Sequence, residues 1–268
     1  MSLALPYTRA VLRNPNLLFW GIAFMAFWFV LGAYVFSVGL PSNRASEVGY
    51  TAAWFAIIAL FSLTIIAMSI ASSMTYGTDA LAFSFRYTRL TPTGYVLSLM
   101  ASSAAVGLLF SFVMAALVSG LFSAHFGTAI WPANLAGLVG VSLLSGAFMM
   151  GLGTVLVIVV VNYLTLRSMS FIEFVPLVLS YIFGFAQLYV ALPPLVLYLS
   201  PWNDMESLLY QAYRGSPATV TLATSSSATL SWPLSVLGLV AWVVVLVLVS
   251  SALLGRIRSV SLQEGRQI

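Results

Sequence analysis

"YTAAWFAIIALFSLTIIAMSIASSM", Tyr50 to Met74, contains no charged residue and exceeds the roughly 20 apolar residues that a helix needs to cross a bilayer core. Hydrocarbon offers no water to backbone N–H and C=O groups, so an isolated segment must satisfy them internally as a helix. The run lacks the period-two alternation of a barrel strand. The span is placed at Thr51 to Met74, and five other segments read the same way: Leu17 to Leu40, Tyr95 to Phe122, Leu135 to Val161, Ile172 to Leu199 and Pro233 to Leu254. The expectation is an all-α polytopic membrane protein with six transmembrane helices, a single transmembrane domain over 1–268.

Composition agrees. The 268 residues are 61% hydrophobic and 6% charged, with a mean hydropathy of +1.05, whereas soluble domains carry about 25% charged residues. There is no cysteine, which excludes thiol catalysis, disulfides and Cys-based metal sites. The cations are ten arginines and no lysine, against six acids, and read as a topology signal rather than a nucleic-acid footprint. With six spans both termini share one side. If that side is cytoplasmic it receives Arg9, Arg13, Arg86, Arg89, Arg167, Arg256, Arg258 and Arg266, leaving Arg44 and Arg214 outside. The positive-inside rule selects this orientation, in a plasma membrane. The first apolar run is too long for a cleaved signal peptide and lacks a small-residue cleavage site, so it is read as a mature span.

Three connecting segments have character. Residues 1–16 mix Leu5, Val11 and Leu12 with Arg9 and Arg13, which suits either a short helix in the cytoplasmic interface or a frayed positive flank. The outer connection 200–232 begins "SPWNDMESLLYQAYRG", with a helix start at Asn203 or Asp204 and a stop at Gly215. It continues "SPATVTLATSSSATLS", a small, polar, flexible or extended cover. Between the second and third spans lies "YGTDALAFSFRYTRLTPTGYVL", Tyr76 to Leu97. Thr78 or Asp79 can cap a short helix there, and Pro92 closes the segment. Its exposed aromatics and arginines fit a docking knob for a partner, or a topogenic loop whose phenylalanines lie in the headgroups.

The runs "RAVLRNPNLLFWGI", "YGTDALAFSFRYTRLTPTGYVLS" and "LSPWNDMESLLYQAYRG", in this order among six spans, resemble the membrane subunits of type 2 ABC exporters. The resemblance implies an N-terminal interfacial connecting helix, a cytoplasmic coupling helix at 75–94 and an outer re-entrant hairpin or loop cap at 200–232. It also implies a second permease copy, as homodimer or heterodimer, and a separate ATPase subunit that holds ATP and Mg. Asp79, Phe83, Phe85, Arg86 and Arg89 become coupling residues, with Arg167 a further contact. The family's acidic residues before the Gly-Thr are replaced here by "SSMTY", so no role of theirs carries over. A P-loop, GxxxxGK[ST], needs a lysine that this sequence lacks, so no ATP site or other cofactor is expected on the chain itself. The chain is therefore expected to be the non-hydrolytic subunit.

Within the spans, Ser103, Gly107, Ser111, Ala115, Ser119 and Ser123 repeat every fourth residue, a pattern that lets helix backbones approach closely. Gln187 stands among Tyr181, Phe183, Phe185 and Tyr189; it is either a substrate contact or a hydrogen bond to a neighbouring helix. An intramembrane hydrolase would need His125 and Ser145 at one depth, but Ser145 lies roughly 15 Å along the next helix. An ion-coupled carrier normally needs buried carboxylates, and none is visible deep in any of the six runs. The sequence thus points to the permease subunit of an ATP-driven exporter of hydrophobic or amphipathic molecules, surrounded by lipid and not a nucleic-acid binder.

Overall fold

The computed structural model of the chain describes residues 4–76, 78–88, 90–164, 168–222 and 228–255. Those residues are helical nearly throughout. Beyond the helices, Thr219 and Thr229 form an isolated antiparallel bridge.

Five helices are long and apolar enough to cross a membrane. The first is composite: α2 (Pro15–Leu18) and α3 (Phe24–Tyr34) are joined by a π-helical turn, Phe19–Ala23. There the Phe24 N–H donates to Phe19 O, and the Ser62 hydroxyl donates to the Gly21 carbonyl. The other four are α4 (Arg44–Tyr76), α6 (Pro92–Phe126), α7 (Leu135–Tyr163) and α12 (Trp232–Leu254). Shorter helices complete the order: α1 (Ala4–Leu12), α5 (Thr78–Tyr87), α8 (Met169–Ile172), α9 (Val175–Tyr189), α10 (Pro194–Leu199) and α11 (Pro201–Arg214).

Capping side chains set the boundaries. Asn14 Oδ1 accepts from the N–H groups of Asn16 and Leu17 ahead of α2. Thr91 Oγ1 accepts from Gly94 N–H with Pro92 in the first turn of α6, and Asn134 Oδ1 accepts from Gly137 N–H at the start of α7. Each supplies an acceptor to an N–H that has no carbonyl in its own helix. Gly127 and Gly215 end α6 and α11 at φ 68° and 78°, where a side chain would be strained.

α4 is the axis of the bundle: its apolar length is 83% buried, against 22% for α12 on the periphery. α6 and α7 touch backbone to backbone. A Cβ built on Gly146 would lie 2.3 Å from Ser103 O, and one on Gly107 would lie 2.9 Å from the Gly146 Cα and from Ser142 O. α1 lies along the start of α6, with Val11 buried. Tyr7 faces Tyr95 there, and burial, with Tyr95 adding to it, holds the Tyr7 phenol well above its usual range.

The expected span Ile172–Leu199 is not one helix. α9 ends at Tyr189, the backbone is extended at Val190, and α10 starts after Pro193. Pro193 and Pro194 lack the N–H groups that continuing α9 would require. α9 is apolar but only 15 residues long, about 22 Å.

Candidate functional site

Of the segment 200–232, expected as an outer re-entrant hairpin or loop cap, the first part is the helix α11 packed inside the bundle. Ser200, rather than Asn203 or Asp204, caps this helix, and Pro201 occupies its first turn. Every residue from Pro201 to Tyr213 is buried. At one end Ala133 N–H and Asn134 N–H donate to Tyr213 O and Ala212 O, which brings the helix level with the start of α7. At the other end the Trp202 ring meets Phe148 edge-on at 5.6 Å and stacks on Phe183 at 5.7 Å. Phe148 lies about 20 Å along α7 from Leu135, so α11 descends about as far into the bundle. α10 provides the other arm: Trp242 Nε1 in α12 donates to Leu199 O, and Ser231 N–H donates to Tyr198 Oη. The pair is a helical hairpin whose bend, with Pro201, lies deep in the bundle rather than at its end.

A chain of amides joins α11 to α9. Asn203 Nδ2 donates to Gln187 Oε1 at 2.9 Å and to Phe183 O at 3.3 Å, and Gln187 Nε2 donates to Ser207 Oγ at 2.7 Å. Of the two readings left open for Gln187, the structure contains the interhelical hydrogen bond. Phe183 lies on Trp202, while Tyr181 is 60% exposed; the Tyr189 side chain is outside the described residues. Beyond α11 the chain is extended. Val220 N–H and Leu230 N–H donate to Ala228 O and Ala218 O, and Leu222 N–H donates to Gln187 O, covering the amide cluster.

Asp204 and Glu206 are buried, and among the described residues no donor meets hydrogen-bond geometry at their four carboxyl oxygens, although the Ser235 side chain faces Asp204. Asp204 turns to α12, on the side of Ser235. A Cβ on Gly238 would lie 2.5 Å from Asp204 Oδ2, so the missing side chain makes the space the carboxyl fills. Glu206 turns to α9 and α4, where a Cβ on Gly184 would be 3.7 Å from Glu206 Oε2 and 3.6 Å from Leu60. The absence of deep carboxylates, which set the ion-coupled carrier aside, therefore fails. The sequence reading missed these residues because α11 has the amphipathic pattern of a surface helix. The cue available was its position, between the Pro193-Pro194 break and a Ser-Pro start.

α5 is the second candidate. It projects between α4 and α6, at the end of the bundle that also carries α1. Phe83 is 61% and Tyr87 72% exposed, and their rings pack 4.7 Å apart on one face. Phe85 instead meets Tyr95 of α6 edge-on at 5.9 Å, anchoring α5 to the bundle. The two phenylalanines thus face opposite ways. The side chains of Asp79 and Arg86, and Arg89 and Arg167 entirely, lie outside the described residues.

The small-residue stripe of α6 meets several neighbours. Ser103 and Gly107 abut Gly146 of α7, Ser119 Oγ shares a 2.7 Å hydrogen bond with Tyr213 Oη of α11, and Ser123 Oγ accepts from Ile130 N–H. Ser111 and Ala115 are buried along the same line. His125 pairs with Ser37 rather than Ser145: its Nε2 lies 3.0 Å from Ser37 Oγ, which donates to Ala33 O. The Ser145 hydroxyl is buried without a partner.

No family model matches the chain, and no curated protein matches it in sequence.

Proposed function

We propose that the chain is the membrane subunit of an ATP-driven exporter resembling the type 2 ABC class, with α5 as its coupling helix. The observation that carries this reading is the projection of α5. A ten-residue helix exposes an aromatic pair, Phe83 and Tyr87, beside the arginine-bearing end of the bundle, while Phe85 fixes its base. Aromatic anchors of this kind supply binding energy once buried in a partner's cleft. The re-entrant α10–α11 pair and the interfacial α1 support the same reading, since the resemblance implies both. A separate ATPase would bind α5 and hydrolyse ATP. A second copy of the chain would complete the pathway for a hydrophobic or amphipathic cargo, and alternating access would follow from the push on α5.

Replacing Phe83 by aspartate is the test. The variant should insert and fold, because Phe83 touches none of the bundle core, yet lose at least tenfold in co-purification with the proposed ATPase subunit and in transport. Phe85→Asp should also lower the stability of the permease itself, since it breaks the seat on Tyr95. Normal assembly and transport by the Phe83 variant would leave α5 as a topogenic loop.

Orientation is tested separately in this naturally Cys-free chain. With α5 cytoplasmic, as the arginine distribution requires, cysteine introduced at the exposed Ala129 should react with an impermeant maleimide in intact cells, while cysteine at the exposed Thr88 should not. The reverse labelling would invert the topology.

Burial of Asp204 and Glu206 favours a second reading, the ion-coupled carrier. Transport that collapses with an ionophore while ATP is maintained, and that needs no ATPase subunit, would select it.

A further inference from the structure

Among the described residues, none supplies a positive charge or a donor to Glu206. Its two oxygens and Asn203 Oδ1 are acceptors without a donor, all completely buried. Residues 203 and 206 are three apart on α11 and so share one face. The Asn203 amide is held in its orientation by the two bonds from Nδ2 to Gln187 Oε1 and Phe183 O, which leaves Oδ1 as the free acceptor. Across the interface, Glu206 Oε2 abuts α9 at Gly184. One turn away on the same face of α9 is Ser180, whose hydroxyl is also buried and unpartnered.

The charged and titratable neighbours do not neutralise this carboxyl. On α11, Asp204 turns away to Gly238 and Ser235 of α12, Arg214 Nη1 donates to Tyr210 Oη, and Tyr213 bonds Ser119. On α4, Arg44, Glu47 and Tyr50 are in its first two turns, where Glu47 accepts from Thr128 and Tyr50 donates to Gly32 O; Tyr76 ends the helix. α9 carries Tyr181, largely exposed, and Tyr189, while Glu173 before it accepts from Ser72. α10 brings Tyr198, which accepts from Ser231. α7 has a titratable side chain only at its last residue, Tyr163, and α12 has none. An ionised carboxylate with no donor in such a setting is strongly disfavoured.

We propose that Glu206 is the centre of a monovalent-cation site enclosed by α9, α11 and α4, with Asn203 Oδ1 and Ser180 Oγ as accompanying oxygens and a proton or sodium ion as occupant. The ligand chemistry is an all-oxygen acceptor set carrying one negative charge, which selects a hard monocation. Binding there makes seating of the hairpin depend on the cation. The assignment rests on neither transport reading, and its test uses the full chain alone in lipid nanodiscs.

The folded site takes up a cation that the unfolded chain, ionised in water, does not hold. Stability therefore falls as the cation is removed. Asp204 is a second buried carboxyl with a proton response of its own, so the response is read on an Asp204→Asn background: for a proton, the folded-to-unfolded ratio there should fall by up to about tenfold per unit rise in pH through the neutral-to-alkaline range, the limit for one site. For sodium, the ratio should rise with sodium at alkaline pH to the same limit. On that background Glu206→Gln, which keeps the shape without the charge, should lose either response. Should the Glu206 variant fail to fold, infrared spectra of wild type labelled with carboxyl-13C glutamate replace it. A label-shifted protonated-carboxyl band at neutral pH identifies the proton. A sodium-induced shift of a label-sensitive carboxylate band identifies the metal ion. Stability indifferent to pH and sodium on the Asp204→Asn background, equal responses there with and without Glu206→Gln, or neither infrared change would overturn the assignment.

Discussion

Gly146→Ala is expected to destabilise the bundle by about 3 kcal/mol, the upper range for overpacking a tight contact. The added methyl would sit 2.3 Å from Ser103 O and 3.0 Å from the Ala104 Cα. Both are backbone atoms, so no side chain can swing aside. The shortfall from an ordinary contact at 3.4 Å is about one ångström, and it must be met by moving α6 away from α7. That separation also loosens Gly107, which packs on the Gly146 Cα. Dispersion contacts along the seam weaken together, because the well is steep with distance. Gly120→Ala and Gly140→Ala are the controls: both added methyls meet nothing within 4 Å, and alanine is the better helix former by about 1 kcal/mol. Thermal unfolding in nanodiscs should show a large fall for the first variant and unchanged or raised midpoints for the controls. Equal midpoints for all three would mean that α6 and α7 are not in backbone contact.

The second large effect is expected from Gln187→Leu. The substitution removes the acceptor for Asn203 Nδ2 and the donor to Ser207 Oγ. It takes the donor from the buried Ser207 hydroxyl and leaves Asn203 Nδ2 only its longer bond to Phe183 O, where a buried polar group left without a partner costs about 1–3 kcal/mol. Membrane-embedded hydrogen bonds average nearer 0.6 kcal/mol, so the expected loss is about 2 kcal/mol, concentrated in the seating of one short helix. Local opening should therefore precede global unfolding. Cysteine placed at Ala212, buried in the native hairpin and outside the amide chain, should resist maleimide in the otherwise native chain and react at least tenfold faster when combined with Gln187→Leu. Equal rates would show that the amide chain does not hold α11 in place.

The reach of sequence reasoning differs between elements for identifiable reasons. Tyr50–Met74 declares itself because a long uncharged run has one stable solution in lipid, a helix whose backbone satisfies itself. The start of α6 was legible from Thr91-Pro92 and the end of α11 from Gly215, since caps and left-handed glycines act through bonds within a few residues. The spacing of Ser103 and Gly107 indicated a close helix contact without naming the partner; Gly146 becomes that partner only when α7 folds back along α6.

α11 shows the opposite case. Its Trp-Asn-Asp-Met-Glu-Ser pattern has the same amphipathicity whether it lies on a surface or inside a bundle, and hydropathy assigns it to water. Burial was decided by groups remote in sequence: Gln187 bonding Asn203 and Ser207, Gly184 and Gly238 leaving space for two carboxyls, and Ser119 meeting Tyr213. Likewise, Phe83 and Phe85 are indistinguishable along the chain, and only the position of Tyr95 turns one inward and leaves the other exposed. The sequence by itself determined the membrane class, the long helices and their caps, because these depend on local periodicity and on the solvent. Only the tertiary structure decided that a polar hairpin enters the bundle with two buried acids, because that outcome depends on which distant side chains supply partners and space.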